Sequence, residues 1–296
     1  DGYVHVTGGA AIDTITGGLL ADTIIGGGGA DILGGGGGDD IITGGLGADI
    51  ITAGAGDDTI TGGAGNDTIT MAANLTAADT IDGGEGSDTL NVTSVSAATL
   101  AGVTNVETLA VTGASTVSLT TDLAFTTIDL SNGSAQNLTF ATGYTAATTV
   151  NLGAGPGSDT IVNTAKIALT IDSTDAGGMT SSVTITGSTA TETLIVTADA
   201  SDAIDFTNIT LVDKLTIRDG ATSGDDVTVT LGAYATALTI DASALNGTDE
   251  VLTVSGDTAT KALTITAGNG ADQITGGAGN DTITLGAGND VYNEFD

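Results

Sequence analysis

The chain has 296 residues and sets 37 acidic side chains against 4 basic ones, a formal net charge of −33. That balance excludes nucleic acid as a natural partner and calls for cations among the carboxylates, because a compact body of such charge repels itself. Cysteine is absent, which excludes disulfides and thiol chemistry. No apolar run approaches the ~20 residues of a membrane span, so direct membrane insertion is not expected.

The chain opens in mid-pattern at Asp1, without an initiator Met or an apolar leader, and so reads as a segment of something longer. From Gly8 to Thr70 seven nine-residue blocks follow without a gap: GGAAIDTIT, GGLLADTII, GGGGADILG, GGGGDDIIT, GGLGADIIT, AGAGDDTIT and GGAGNDTIT. The sixth position of each is an aspartate: Asp13, Asp22, Asp31, Asp40, Asp49, Asp58 and Asp67. Two places later stands an aliphatic residue, from Ile15 to Ile69. The segment MAANLTAADTID interrupts the series, and GGEGSDTLN restores it with Asp88 and Leu90. A first region, 1–91, is thus set by the repeat.

From 92 to 266 the chain is rich in Thr, Ala and Val, with short alternating runs such as TTIDLS, TTVNLG, ALTIDS, KLTIRDG and VLTVSG. Apolar, β-branched residues at every second place predict half-buried strands. Their central aliphatics recur at a step close to that of the flanking blocks. One isolated block, AGPGSDTIV at 154–162, carries Asp159 and the chain's one proline, Pro156. A third region, 267–296, returns to AGNGADQIT, GGAGNDTIT and LGAGNDVYN, with Asp272, Asp281 and Asp290. The expected fold is all-β: a continuous parallel β-solenoid with tight metal-binding turns at both ends and looser β-helical coils between. An antiparallel β-sandwich for the centre is the competing assignment.

The period carries chemistry. Six residues make a turn and three a short strand; glycine lets the turn visit positive φ and aim its carbonyls inward. Calcium takes six to eight oxygens, which carbonyls plus one carboxylate per turn supply when turns stack. A flexible glycine-rich linker would not keep Ile and Asp on a strict period. Multiple Ca²⁺ ions are therefore expected, and their binding should supply much of the folding free energy of a glycine-rich, acidic backbone. Substitutions at Ala11, Ile12 and Leu20 put the carbonyl geometry of the first two turns in question, and Ala53, Ala267 and Leu285 replace first glycines.

These blocks resemble the RTX (repeats-in-toxin) calcium-binding β-roll family, with its pattern GGxGxDxUx, U being a large aliphatic residue. The resemblance implies ions between alternate blocks. Asp13, Asp31, Asp49 and Asp67 would then share one edge, and Asp22, Asp40 and Asp58 the other. Asp272 and Asp290 would flank one site, with Asp281 facing the opposite edge. Asp88 and Asp159 belong to further turns of the same kind.

Other groups read as structure. Asp129, Asp172 and Asp241 end strands, Glu107 and Glu192 sit in strand-like runs, Lys214 and Arg218 are expected to pair locally with Asp213 and Asp219, and His5 is expected at the surface. Phe125, Phe140, Phe206 and Phe295 are expected in the core or at coil ends. An enzyme is not expected: one histidine excludes HExxH zinc chemistry, and no GxSxG elbow or Cys–His pair exists. The Thr-, Ala-, Gly- and Asp-rich composition, with rungs such as TNVETL between the blocks, resembles the surface-layer (S-layer) proteins of Gram-negative bacteria. That resemblance implies an extracellular, cell-surface protein, exported by type I secretion, that self-associates into a lattice or filament. Cell-surface polysaccharide, engaged through further segments, is the other expected partner. An RTX adhesin stalk, or a calcium-triggered folding and secretion module of an exported enzyme, is the alternative.

Overall fold

A computed structural model describes residues 2–95, 99–113, 116–119, 123, 125–131, 137–141, 143–152, 160–163, 165, 167, 169–173, 184–186, 192–197, 201–205, 209–210, 212–219, 226–231, 237–256 and 259–294. Asp159, Phe206 and Phe295 lie outside them. The chain divides into two compact units, Asp1–Asp129 with Gly143–Ala146, and Leu130–Thr142 with Ala147–Asp296. Each is all-β, and every described strand pairing within each is parallel. The antiparallel alternative for the centre is therefore set aside.

In the first unit successive strands alternate between two sheets. One contains His5–Thr7, Thr23–Gly28, Ile41–Leu46, Thr59–Ala64, Thr80–Glu85 and Val103–Thr104. The other contains Thr14–Thr16, Ile32–Gly37, Ile50–Ala55, Thr68–Ala72, Thr89–Val92 and Thr108–Val111, and continues to Ile128. Each strand pairs with the strand two blocks on, so Ile24 lies against Ile42 and Leu33 against Ile51. The eighth residue of each block points inward. Ile24, Ile42, Ile60 and Ile81 form one buried ladder; Leu33, Ile51, Ile69, Leu90, Leu109 and Ile128 form the other, all at most 1% exposed. Period-2 alternation throws the seventh and ninth residues outward, and a one-residue slip would invert every strand. The interruption at Met71–Asp82 lengthens one coil: on one sheet Thr80 still pairs with Thr59 and Ile81 with Ile60, while on the other the register shifts by a residue, Asn91 pairing with Thr70 and Val92 with Ala72. Met71 and Leu75 are buried within it.

In the second unit a long parallel series runs through Thr148–Leu152, Leu169–Ser173, Glu192–Thr197, Lys214–Arg218, Leu238–Asp241, Leu263–Thr266 and Thr282–Thr284. Two shorter series accompany it: Asn137–Phe140 to Ile209–Thr210, and Ser201–Asp205 to Val291–Asn293. Leu194, Leu215, Ile240 and Ile265 stack in the long series, and Val229, Val254 and Ile274 in the last. All seven are buried. Coils here are longer, Leu238 pairing with Leu263, until the last blocks restore the tight step with Thr264 on Thr282. Phe140 is wholly buried, as is Phe125 in the first unit, where the Phe125 carbonyl accepts the Tyr144 hydroxyl at 3.0 Å.

Lys214 departs from the expected local pairing. Its Nζ reaches Asp241 Oδ2 at 3.1 Å. Parallel register puts Lys214 opposite Thr239, two places from Asp241 on the same face.

Candidate metal centre

The sixth-position aspartates line two edges of the first unit in unbroken hydrogen-bonded rows. On one edge the Asp13 amide donates to Asp31 Oδ1 at 2.8 Å, Asp31 to Asp49 at 2.7 Å, Asp49 to Asp67 at 2.8 Å and Asp67 to Asp88 at 2.8 Å. On the other, the Val4 amide donates to Asp22, Asp22 to Asp40 at 2.8 Å, Asp40 to Asp58 at 2.9 Å and Asp58 to Asp79 at 2.7 Å. One oxygen of each carboxylate therefore ties its turn to the coil before it.

The other oxygen divides the turns into two kinds. In Asp31, Asp40, Asp49, Asp58, Asp67, Asp88 and Asp272, Oδ2 is buried and has no hydrogen-bond partner. In Asp13 and Asp22 it accepts the amide of Gly9 or Gly18 at 2.6 Å. Asp281 takes the Gly277 amide at 3.3 Å, and Asp79 the Thr76 amide at 2.6 Å. The backbone explains the difference in the first unit. Gly27, Gly36, Gly45, Gly54, Gly63 and Gly84, at second positions, all have positive φ, and so do the fourth-position glycines from Gly29 to Gly86. The first two blocks carry Ala11 and Leu20 at position four, and neither adopts positive φ. Their turns close over the carboxylate instead.

In the open turns the unpartnered oxygen faces another acceptor. A Cβ on Gly26 would stand 2.5 Å from Asp31 Oδ2 and 2.6 Å from the Gly44 carbonyl. Gly35 has the same relation to Asp40 and the Ala53 carbonyl, Gly44 to Asp49 and Gly62, and Gly62 to Asp67 and Gly83. Where strand pairing continues past this level it skips it, passing from Ile25↔Thr43 to Gly27↔Gly45 and from Thr52↔Gly34 to Gly54↔Gly36. First-position glycine is required because a methyl would fill the space between the two oxygens. Ala53 is tolerated because its strand's pairing to the following coil stops at Thr52↔Thr70.

Two buried acceptors facing each other without a proton between them repel, and an unpaired buried carboxylate is costly. Burial accordingly raises Asp40 from 3.8 to about 6, against the opposing Asp22 amide and with help from Asp58, Asp22 and Asp39. It raises Asp67 to about 6 in the same way. Asp49, Asp58, Asp88 and Asp272 are also raised, burial again being the largest cause. No group of three or more His, Cys, Asp or Glu side chains converges among the described residues, so a cation here would be held chiefly by carbonyls and by one carboxylate from each turn. An all-oxygen set of that kind fits calcium. When bound, the ion supplies the positive charge that these facing oxygens lack.

At the far end of the chain the Asp272 amide donates to Asp290 Oδ1 at 3.0 Å, and Asp272 Oδ1 accepts from Leu252 at 2.8 Å. Asp281 pairs instead with the Leu263 amide at 2.8 Å. The structure thus brings Asp272 and Asp290 together and sets Asp281 apart. Asp79 is absent from the sequence reading because its turn lacks glycines. The triplet Asp79-Thr80-Ile81, identical to that in six of the recognised blocks, is the signal that marks it.

The model of the RTX calcium-binding nonapeptide repeat matches this chain at residues 7–42, 34–69, 76–92 and 264–292. The matched stretches contain Asp79 and the sixth-position aspartate of every block except Asp159. Repeats of this kind bind calcium and are typical of secreted proteins. No curated protein matches the chain.

Proposed function

We propose that the chain is a calcium-dependent structural protein of the bacterial cell surface, assembling with copies of itself into an S-layer lattice or a similar extracellular polymer. The observation that carries this reading is the row of buried, unpartnered carboxylate oxygens facing carbonyls along both edges of the first unit. Such a body is rigid with calcium outside the cell, where the ion is abundant, and self-repelling without it. Apolar side chains on the outside suit lateral contact between copies. Ile32 and Ile50 are neighbours on one outer face, 47% and 50% exposed, and Leu46 projects from a turn at 66%. The role is structural rather than enzymatic: the one histidine, His5, is exposed, and the carboxylates are spent on holding coils together. Type I secretion would deliver the chain unfolded, and cell-surface polysaccharide would be engaged by further segments.

The test is a calcium titration of chelator-stripped protein, followed by circular dichroism and negative-stain electron microscopy on the same samples. β-Structure and ordered sheets or filaments arising together support the reading. A chain that folds with calcium but stays monomeric is an adhesin stalk or a secretion module instead. Full folding in chelator would refute the metal dependence.

A further inference from the structure

We propose that Asp88, the last block aspartate of the first unit, shares a calcium site with the Asn105 carbonyl and Glu107, two residues outside the nonapeptide pattern, where the glycine-rich turns of the first unit give out. The proposal rests on the reading that the open turns hold calcium.

The repeat match ends at residue 92, and Asn105-Val106-Glu107 contains no glycine. Its three residues nonetheless do the work of a six-residue turn. Glu107 Oε2 accepts the Asp88 amide at 2.8 Å, as Asp88 Oδ1 accepts that of Asp67. The Thr108 amide donates to the Asp88 carbonyl at 2.9 Å, as Thr89 does to Asp67 one coil earlier. Glutamate thus stands where the next aspartate of the edge would be.

The second acceptor is also replaced in kind. A Cβ on Gly83 would stand 2.7 Å from Asp88 Oδ2 and against the Asn105 carbonyl, as one on Gly62 would meet Asp67 and the Gly83 carbonyl. Asn105 achieves this with φ of 49°, a conformation that asparagine tolerates better than most residues. Its Nδ2 donates to Asp82 Oδ1 at 2.7 Å, which anchors the turn. Asp88 is wholly buried and its Oδ2 unpartnered, so a polar group already points into the site.

One difference sets the site apart. The shortened turn leaves a cavity of about 260 Å³, lined by Val103, Asn105, Glu107, Leu123 and Phe125 among others. Calcium needs six to eight oxygens, and water in this space, which Asn105 and Glu107 line and Asp88 does not, would reach the ion from the Glu107 side. Glu107 also contributes a carboxylate on the open side.

Native mass spectrometry of the full chain with calcium provides the test. Glu107→Gln keeps an oxygen to accept the Asp88 amide and removes only the charge; it should lose one ion per chain. Asp40→Asn, on the opposite edge, should also lose calcium. If Asp40→Asn loses calcium and Glu107→Gln does not, the site is refuted and the reading of the open turns survives. If the unaltered chain binds no calcium, both fall. Should Glu107→Gln fail to fold, anomalous scattering from terbium-soaked crystals of the unaltered chain decides. A peak shared by Asp88 and Glu107 supports the site; peaks at the glycine-rich turns alone overturn it.

Discussion

Asp40→Asn should change the sign of its effect with calcium. The substitution keeps Oδ1 to accept the Asp22 amide and puts an amide nitrogen where Oδ2 faces the Ala53 carbonyl. Two opposed acceptors become a donor and an acceptor. Burial raises Asp40 from 3.8 to about 6, and at 1.36 kcal/mol per pKa unit the ionised form at pH 7 costs the cation-free fold about 3 kcal/mol. Removing that charge should therefore stabilise the chelated protein by a value of that order. In calcium the same change deletes a charged ligand, and each tenfold loss of affinity removes about 1.4 kcal/mol of calcium-linked stability. Urea unfolding followed by circular dichroism, in chelator and in excess calcium, measures both signs. An osmolyte can bring the chelated form into the folded range if needed. A variant destabilised equally in both conditions would refute the argument that Oδ2 lacks a partner without the ion.

The raised values of Asp40 and Asp67 also set a pH dependence. A carboxylate whose folded pKa exceeds its unfolded one contributes stability below about 3.8 that is lost as pH rises through about 6. Chelated protein should thus show more β-structure at pH 5 than at pH 7.5 by circular dichroism, and calcium binding near pH 5 should release protons, seen by calorimetry in buffers of different ionisation enthalpy. Asp22→Asn should spare the tightly bound calcium that Asp49→Asn removes, because Asp22 Oδ2 is already held by the Gly18 amide; ion counting by mass spectrometry distinguishes them. Gly45→Ala, at φ 123° and against the Gly27 carbonyl, should cost about 3 kcal/mol or more and raise the calcium midpoint of folding. Gly34→Ala, whose Cβ would meet Thr16 at 3.6 Å, should change that midpoint little. Lys214→Ala should cost less than about 1 kcal/mol in urea, since both partners of its ion pair are substantially exposed.

The two buried ladders and the two carboxylate edges were readable because each is a consequence of period: nine residues fix which side chains share a face. What escaped depends on backbone state or on register. Nothing in the letters of GGLLADTII says that its amide closes on Asp22, since that follows from Leu20 declining a left-handed turn. Glu107 reads as an ordinary strand residue until Asn105 is seen supplying the carbonyl of a missing glycine. Lys214 was expected to pair with a sequence neighbour, whereas parallel register brings Asp241 of the next coil within its reach. Segmenting the chain by motif at 91 and 266 followed composition, while compactness follows contacts, which divide the chain near residue 130.

The amide-to-carboxylate rows run one way. Each sixth-position N–H is fastened by an aspartate of the coil that follows it in sequence, whereas the fifth-position Asp57 amide is held by Asp39 of the coil before. Deleting a following coil strips a sixth-position amide of its carboxylate, and deleting a preceding one strips the next residue's amide of a carbonyl, as Ile41 would lose that of Asp22. Adjacent residues of one turn are thus fastened in opposite directions along the polypeptide, so a coil of the first unit is clasped from both sides and trimming at either end should loosen the coil it exposes.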